Sequence, residues 1–354
     1  MSVFEHAEFD NHAQVVFCSD PESGLKAIIA IHNLNRGPAL GGCRRWSYAS
    51  EDEALTDVLR LSRGMTYKAA LAELPFGGGK SVILAEGNQD TGALYAAMGR
   101  FVETLGGRYT AAEDVGTSVE DVEIIGRHTS HIAGVPAGGA GDPSPATAYG
   151  TLHGIKAAVR HKLGQDDLKD LRVAVQGLGH VGYNLCRYLA AEGARLLVSD
   201  IDLESVERAK REFDAKAVAV DEIARTEADV FAPCALGAVI DDASIETLKA
   251  RIVAGSANNQ LAEPRHGEIL RERGVLYAPD YVINGGGLIN ISHETRPGGK
   301  TYDKAKAFAH VARIGDTLTQ IFELAEREGI ATSLAADRIA ESRFKGAKAK
   351  ADAA

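Results

Sequence analysis

No apolar run in this 354-residue chain approaches the ~20 residues a membrane-spanning helix needs. The opening stretch MSVFEHAEFDNHAQ also lacks the basic and apolar regions of a secretory signal, so a cytosolic protein without membrane contact is expected. Cysteine is scarce. Cys18, Cys43, Cys186 and Cys234 stand far apart with no Cys-x-x-Cys pair, which argues against a disulfide framework or a zinc site and leaves buried free thiols; no metal is expected. Basic blocks are wanting too. With a net charge of −10 and only the short tail RFKGAKAK as a basic cluster, nucleic acid is excluded as an expected partner, and the tail reads as a frayed end. There is no internal repeat, and the length suits about two domains.

What is present begins with LPFGGGKSVI, Leu74 to Ile83, where three glycines precede a lysine. A phosphate-binding loop of the Gly-Lys-Ser kind needs a glycine six residues before the lysine, and Leu74 stands there. That loop should also open a helix, whereas Ser81 to Ala85 reads as a strand. The glycines therefore serve another purpose, and the reading at this point is that they let a ligand approach the Lys80 ammonium.

Ala13 to Cys18 and Leu25 to His32 read as strands. Ser50 with Glu53 forms a capping box, and Ala54, Val58, Leu61 and Met65 continue a helical stripe until Pro75 stops it. The strand after Lys80, a helix from Thr91 to Leu105, the strand RYTAAED and a further helix complete a first αβ domain, residues 1–138. The stretch AGVPAGGAGDPSP, Ala133 to Pro145, is rich in glycine and proline and marks the expected boundary. A second domain, residues 139–329, follows, and a C-terminal helix near 330–354 is expected to pack back on the first.

The second domain opens with a helix from Ala146 to His161 and then LRVAVQGLGHVG, a helix and ARLLVSD. Strand, glycine turn, helix and strand follow one another, with Gly177, Gly179 and Gly182 in the G-x-G-x-x-G register and Asp200 closing the second strand. The first glycine makes the turn, the second admits a pyrophosphate to the backbone, the third lets helix meet strand, and the acid accepts ribose hydroxyls. A plain βαβ turn is the alternative, but the setting favours a dinucleotide site. Asp200 and Asp202, with no arginine at the strand end, favour NAD over NADP. DVFAPCA, RIVAGSAN and GVLYAPD read as further strands of a doubly wound sheet, and a long helix from about Tyr302 to Glu328 follows.

Lys68, Lys80 and Asp114 are the candidate chemical residues of the first domain. A desolvated lysine loses proton affinity and serves as a base near neutral pH. Asp114 has a second reading as a cap for the helix that starts at Ser118.

These residues sit in a series of motifs: GPALGG, GMTYK, LPFGGGKSVI, YTAAEDVGT, GLGHVG, GSANNQL and YVINGGGLIN. In that order, across nearly the whole chain, they resemble the amino acid dehydrogenases of the glutamate, leucine, phenylalanine and valine group, and within it leucine dehydrogenase most closely. The resemblance implies an α/β fold of two domains, an N-terminal substrate and oligomerisation domain and a Rossmann-type NAD-binding domain, with a cleft between them. It implies that Lys68 binds the substrate α-carboxylate with Asn258 or Asn259, that Lys80 activates the water attacking the imine or stabilises the resulting hydroxyl, and that Asp114 takes and returns the proton on nitrogen. Leu40, Gly41, Met65, Ala112, Leu288 and Ile291 match the substrate pocket; Thr147, His180, Val181 and Asn284 join the three loop glycines and Asp200 at the cofactor. A homo-oligomer, from dimer to octamer, is implied as well.

The implied pocket is apolar, so glutamate should be rejected and a branched aliphatic side chain should fit best. Leu288 stands where leucine dehydrogenases are expected to have a smaller valine, which tilts the reading towards valine. The expected activity is NAD-dependent, reversible oxidative deamination of leucine, valine and isoleucine to 2-oxo acids and ammonia. Phenylalanine or tryptophan dehydrogenase chemistry is the alternative on the same fold. A non-catalytic NAD-sensing protein is the rival of another class, disfavoured by the joint presence of Lys68, Lys80 and Asp114.

Overall fold

The run LKAIIAIHN has no polar alternation because both faces of its strand are covered. The structure, a computed structural model, describes residues 2–87, 90–134, 140–294 and 302–351. It divides into two units: Met1–Gly141 with Ile291–Asp303 and Ala340–Ala354, and Asp142–Asn290 with Lys304–Ile339. Part of the expected boundary, 135–139, lies outside the described residues.

The first unit holds a sheet of β1 (Gln14–Asp20), β2 (Leu25–Asn33), β3 (Ala39–Trp46), β4 (Gly77–Leu84) and β5 (Tyr109–Ala112) in the order β1-β2-β4-β3-β5. β1, β2 and β4 pair antiparallel, whereas β4, β3 and β5 run parallel. Helices α1 (Glu51–Leu71), α2 (Thr91–Thr104) and α3 (Val119–Gly126) accompany it. Along β2, Ile28 and Ala30 pack with Ala54, Leu55, Val58 and Leu59 of α1. The alternate residues Ala27, Ile29 and Ile31 pack with Leu94, Ala97, Met98 and Val102 of α2. Each large aliphatic side chain so buried contributes about 1.5–3 kcal/mol before conformational entropy is subtracted. Ser50 caps α1 by accepting the Glu53 N–H at 3.1 Å, but the Glu53 carboxylate accepts from Ala49 rather than from Ser50, so the expected capping box is only half closed. At the other end, Arg343 donates to the carbonyls of Ala70 and Leu71 in the last turn of α1.

The glycines before Lys80 are strand residues, which corrects the reading that they clear a path for a ligand. β4 begins at Gly77. A Cβ on Gly77 would lie 1.9 Å from the Asn33 carbonyl, one on Gly78 would lie 2.1 Å from the Thr66 nitrogen of α1, and one on Gly79 would meet the Tyr109 ring at 2.8 Å. The strand β3 is also absent from the sequence reading. Its Gly41 would place a Cβ 1.8 Å from the Gly79 carbonyl. Helix α1 and strand β3 thus press directly on the β4 backbone.

The second unit contains α4 (Ser144–Leu163), β6 (Arg172–Gln176), α5 (His180–Ala191), β7 (Arg195–Ser199), α6 (Leu203–Phe213), β8 (Lys216–Ala217) and β9 (Val230–Pro233). It continues through α7 (Asp242–Thr247), β10 (Ile252–Val253), α8 (Arg265–Glu272), β11 (Leu276–Tyr277), α9 (Asp280–Ile283) and α10 (Gly286–Ser292). Helices α11 (Lys304–Ala312), α12 (Ile314–Glu328) and α13 (Thr332–Ala351) complete the chain, α10 and α13 being shared by both units. The sheet order is β11-β10-β9-β6-β7-β8 with every pair parallel, so the strand order reverses beside β6. Ligands of doubly wound sheets bind at that reversal, off the carboxyl ends of the strands. The long helix expected from Tyr302 is two helices broken at Arg313. The break seats Ile314 against Gly150 and Gly315 against the His153 carbonyl of α4.

Two glycine substitutions separate packing from conformational freedom. Gly78→Ala should destabilise the protein by about 3 kcal/mol or more, because backbone on α1 cannot yield 2 Å. Gly64→Ala in α1, where a Cβ meets nothing within 4 Å, should be neutral or stabilising by up to about 1 kcal/mol. Urea unfolding of both variants checks this, and equal midpoints would contradict it.

Candidate active site

Lys80 lies on β4 with only 7 % of its surface exposed. A buried ammonium requires an anion, and Asp114 supplies it: Oδ2 is 2.5 Å from Lys80 Nζ. Asp114 follows β5 and is held there by three features. Its N–H donates to the Thr117 hydroxyl at 2.9 Å, and that hydroxyl donates to the Cys43 carbonyl at 2.9 Å, tying the loop to β3. The Gly42 position leaves room, since a Cβ there would stand 2.6 Å from the Asp114 Cβ. Arg44, on the same face of β3 as Gly42, brings its Nε to 3.5 Å from Asp114 Oδ2. Burial by itself would raise the Asp114 carboxyl, but the charge and hydrogen bond of Lys80, with Arg44 behind it, outweigh burial and hold it below the usual carboxylate range. Asp114 is therefore not the cap of α3. Ser118 takes that role in a complete capping box with Asp121.

The neighbouring strands carry apolar candidates. Leu40 on β3 is 2 % exposed and lies opposite Gly78 on β4 and Thr110 on β5. Gly41 lies opposite Ala111, and its carbonyl accepts from the Tyr109 hydroxyl at 2.8 Å. Ala112, at the end of β5, is 8 % exposed. Met65 and Lys68 are half-buried on α1, and Ile291 is half-buried on the part of α10 that belongs to this unit. The first unit thus contains Leu40, Gly41, Met65, Lys68, Lys80, Ala112, Asp114 and Ile291. Asn258, Asn259 and Leu288 belong to the second unit.

In the second unit the glycine loop after β6 takes the form the sequence leads one to expect. Gly177 has φ of 99°, which a side chain disfavours. A Cβ on Gly182 would lie 2.0 Å from the Gly177 carbonyl, so helix α5 meets the loop only through glycine. At Gly179 a Cβ would meet nothing within 4 Å: the loop is open on that side. Gly179 precedes α5 without any side-chain cap, leaving backbone N–H groups of the first turn for an anion. His180 is exposed and Val181 half-buried there. Asp200 accepts the Leu178 N–H at 2.5 Å and the Asp202 N–H at 2.8 Å, while Asp202 caps α6. Gln176 Oε1 and Ser199 Oγ, opposite each other at the carboxyl ends of β6 and β7, are buried and have no hydrogen-bond partner among the described residues. An open loop, free helix N–H groups and orphan polar atoms suit a dinucleotide pyrophosphate and ribose. Nearby, Asn284 is buried and donates to Asn258 Oδ1 at 2.6 Å and the Ser256 carbonyl at 3.2 Å. Thr147 donates to the Pro143 carbonyl at 3.0 Å, and Gly287 packs against its hydroxyl.

Sequence reasoning missed Arg44, Thr117, Gly42, Gln176 and Ser199. A signal for Arg44 exists in GGCRRW, where an arginine falls two residues from a glycine on one face of a strand. Thr117 and Ser199 have none, because hydroxyls suit any loop or strand end.

A family model described as the dimerisation domain of Glu/Leu/Phe/Val dehydrogenase matches residues 12–131, and one described as glutamate/leucine/phenylalanine/valine dehydrogenase matches residues 138–320. A leucine dehydrogenase of Thermoactinomyces intermedius is 53 % identical over 98 % of this chain and 94 % of its own length. A phenylalanine dehydrogenase of Caldalkalibacillus thermarum is 45 % identical over 98 % and 94 %. The crystal structure of an L-tryptophan dehydrogenase from Nostoc punctiforme superposes with a TM-score of 0.86 at 45 % identity, covering 95 % of this chain and 97 % of that one.

Gly42→Ala tests the geometry around Asp114. Its Cβ would meet the Asp114 Cβ at 2.6 Å and the Glu113 carbonyl at 2.7 Å, so Asp114 must shift. Turnover should fall on the order of 100-fold, since a displacement of about 1 Å costs that much. Steady-state kinetics beside a thermal melt check it, and full activity would disprove the tight seat of Asp114.

Proposed function

The chain belongs to the glutamate/leucine/phenylalanine/valine dehydrogenase family, and from that premise we propose that this amino acid dehydrogenase reversibly deaminates branched aliphatic L-amino acids with NAD. The observation that carries the chemistry is the buried contact of Lys80 with Asp114 on strands whose neighbours, Leu40 and Ala112, are buried and apolar. An apolar surface disfavours the glutamate side chain, because a desolvated carboxylate without a partner costs several kcal/mol. It also bears on aromatic substrates. The space a Gly41 side chain would take is filled by the Gly79 carbonyl, so Gly41 adds no depth for a ring. The 53 % identical relative is named a leucine dehydrogenase, in keeping with this reading.

A bound nicotinamide ring supplies the acceptor for the hydride that leaves the amino acid Cα. The remaining work falls to side chains of the chain itself. Lys68 holds the α-carboxylate as an ion pair. Asp114, kept ionised by its two cations, takes the proton from the substrate nitrogen and returns it when ammonia leaves. Lys80, as the ammonium paired with Asp114, orients the water that adds at Cα and stabilises the hydroxyl it leaves there, the displaced proton passing to solvent. The products are the 2-oxo acid, ammonia and the reduced cofactor.

The choice of NAD rests on the end of β7. Asp200 and Asp202 stand there, and the nearest following cation, Arg208, lies over the Tyr183 ring at 3.8 Å. A 2′-phosphate would meet negative charge. The match to a dimerisation domain supports a homo-oligomer, and β1, the edge strand with half-exposed Phe17, is the surface we assign to pairing between copies. Among the described residues no helix is long and apolar enough to cross a membrane, in line with the proposed cytoplasmic setting.

Two experiments test the reading. NADH or NADPH formation at alkaline pH, measured with leucine, valine, isoleucine, phenylalanine, tryptophan and glutamate in separate assays, should be fastest with NAD and the aliphatic three. One methylene separates those three by only about 1–3 kcal/mol, so all should react; a best rate on an aromatic would overturn the pocket. In the second, Lys80→Ala should lose roughly 10²–10⁴-fold in kcat while still binding NAD, whereas Lys68→Ala should chiefly raise KM. An unchanged KM in Lys68→Ala would exclude the carboxylate role.

A further inference from the structure

Arg44 is the charged residue that the roles above leave unused. It lies on β3, and its Nη1 donates to Asp57 Oδ2 on α1 at 3.0 Å. The Tyr48 hydroxyl donates to the same carboxylate oxygen at 2.6 Å. The side chain is 23 % exposed, and its Nε, 3.5 Å from Asp114 Oδ2, is buried with no hydrogen-bond partner among the described residues. Arg44 thus spans from a fixed anchor on the helix to the carboxylate beside Lys80.

The charges of this cluster balance. Lys80 on β4 and Arg44 on β3 face Asp114, and Asp57 with Tyr48 stands behind Arg44. Among the described residues, Cys43 on β3 and Tyr109 on β5 also lie near Asp114. Burial pushes the Cys43 thiol up to about 12 and the Tyr109 hydroxyl well above its ordinary value, and Tyr48 moves the same way, so all three are neutral. Two cations therefore meet two carboxylates. A lysine that orients water must turn part of its hydrogen bonding away from Asp114. An arginine anchored elsewhere does not: its charge is present at every step, and its fork reaches two carboxylates at once.

We propose that Arg44, anchored by Asp57 and Tyr48, is a positioning residue for Asp114 that fixes the carboxylate's orientation and sustains its charge while Lys80 engages water and substrate. This rests on the reading of Asp114 as the group that carries the amine proton. Arg44 acts through Asp114 rather than on substrate, so its removal affects the chemical step more than binding.

The test uses the full-length enzyme and the variants Arg44→Gln, Arg44→Lys and Asp57→Asn. Isotope-edited infrared spectroscopy, with the Asp114 carboxylate band assigned by its loss in Asp114→Asn, follows the carboxylate itself. Steady-state kinetics on the best amino acid follow its use. In Arg44→Gln the titration midpoint should rise by about one pH unit or more, since an opposite charge at this range lowers a carboxyl by that much. kcat should fall about tenfold or more, with KM within about twofold. Arg44→Lys restores the charge but not the fork, so its midpoint should stay near that of the unmodified enzyme and kcat should recover in part. Asp57→Asn keeps the cation and loosens its anchor: kcat should drop with no upward shift of the midpoint. An unmoved midpoint in Arg44→Gln, or parallel changes in kcat and KM, would make Arg44 an ordinary structural ion pair and overturn the proposal. A raised midpoint with unchanged kcat would instead overturn the catalytic reading of Asp114, and the proposal with it. Should Arg44→Gln fail to fold, Arg44→Lys decides, because kcat equal to that of the unmodified enzyme contradicts a role for the fork.

Discussion

Burying an ammonium group beside a carboxylate places demands on everything around it, and the first unit is arranged to meet them. Breaking such a pair leaves a lone charge in a poor dielectric, at about 3–5 kcal/mol. Lys80 arrives from the middle of β4 and Asp114 from the end of β5, with β3 lying between those strands. Strand β3 must therefore yield space and supply a charge, and it does both: Gly42 makes room for Asp114, and Arg44 adds the second cation. Thr117 closes the loop onto the Cys43 carbonyl so that the carboxylate has one place to be. In the proposed reading, stability and chemistry use the same atoms. Preorganised charge in a dry site is what stabilises developing charge in a reaction.

The second unit answers a different physical demand. A dinucleotide pyrophosphate is large and doubly charged, and in the proposed reading the loop after β6 would meet it with backbone N–H groups at the start of α5. Each loop glycine has its own reason: a left-handed φ at Gly177, open space at Gly179, and contact with backbone at Gly182. Asp200 has two tasks, because it also accepts the Leu178 N–H and so holds the loop that it adjoins. The acid that closes the second strand is thus part of the loop's own structure.

Much of this was legible before any coordinates. Leu25 to His32 read as a strand, and Gly177, Gly179 and Gly182 with Asp200 read as a glycine turn between strand and helix. The glycines before Lys80 were misread. They looked like clearance for a ligand, yet they admit α1, the Asn33 carbonyl and the Tyr109 ring. Strand β3 escaped notice because ALGGCRRW alternates neither as a half-buried strand nor as a fully buried one: its pattern answers to Asp114 and Gly79, which are far away in sequence. The helix expected from Tyr302 to Glu328 broke at Arg313 for a similar reason, a close approach to α4 that no local preference signals.

By itself, the sequence determined in which segments the lysines and carboxylates of the proposed chemistry lie and where the glycine turn falls. Those properties follow from residue type and short-range spacing: a lysine at the head of an apolar strand, an acid at a strand end, glycines two and three apart. Only the tertiary structure decided that Asp114 pairs with Lys80 instead of capping a helix, and that Arg44 stands behind it held by Asp57 and Tyr48. Parallel strands place side by side residues that the chain separates by a helix. The pairing of buried charges is a property of that neighbourhood, where the low dielectric makes every missing partner costly.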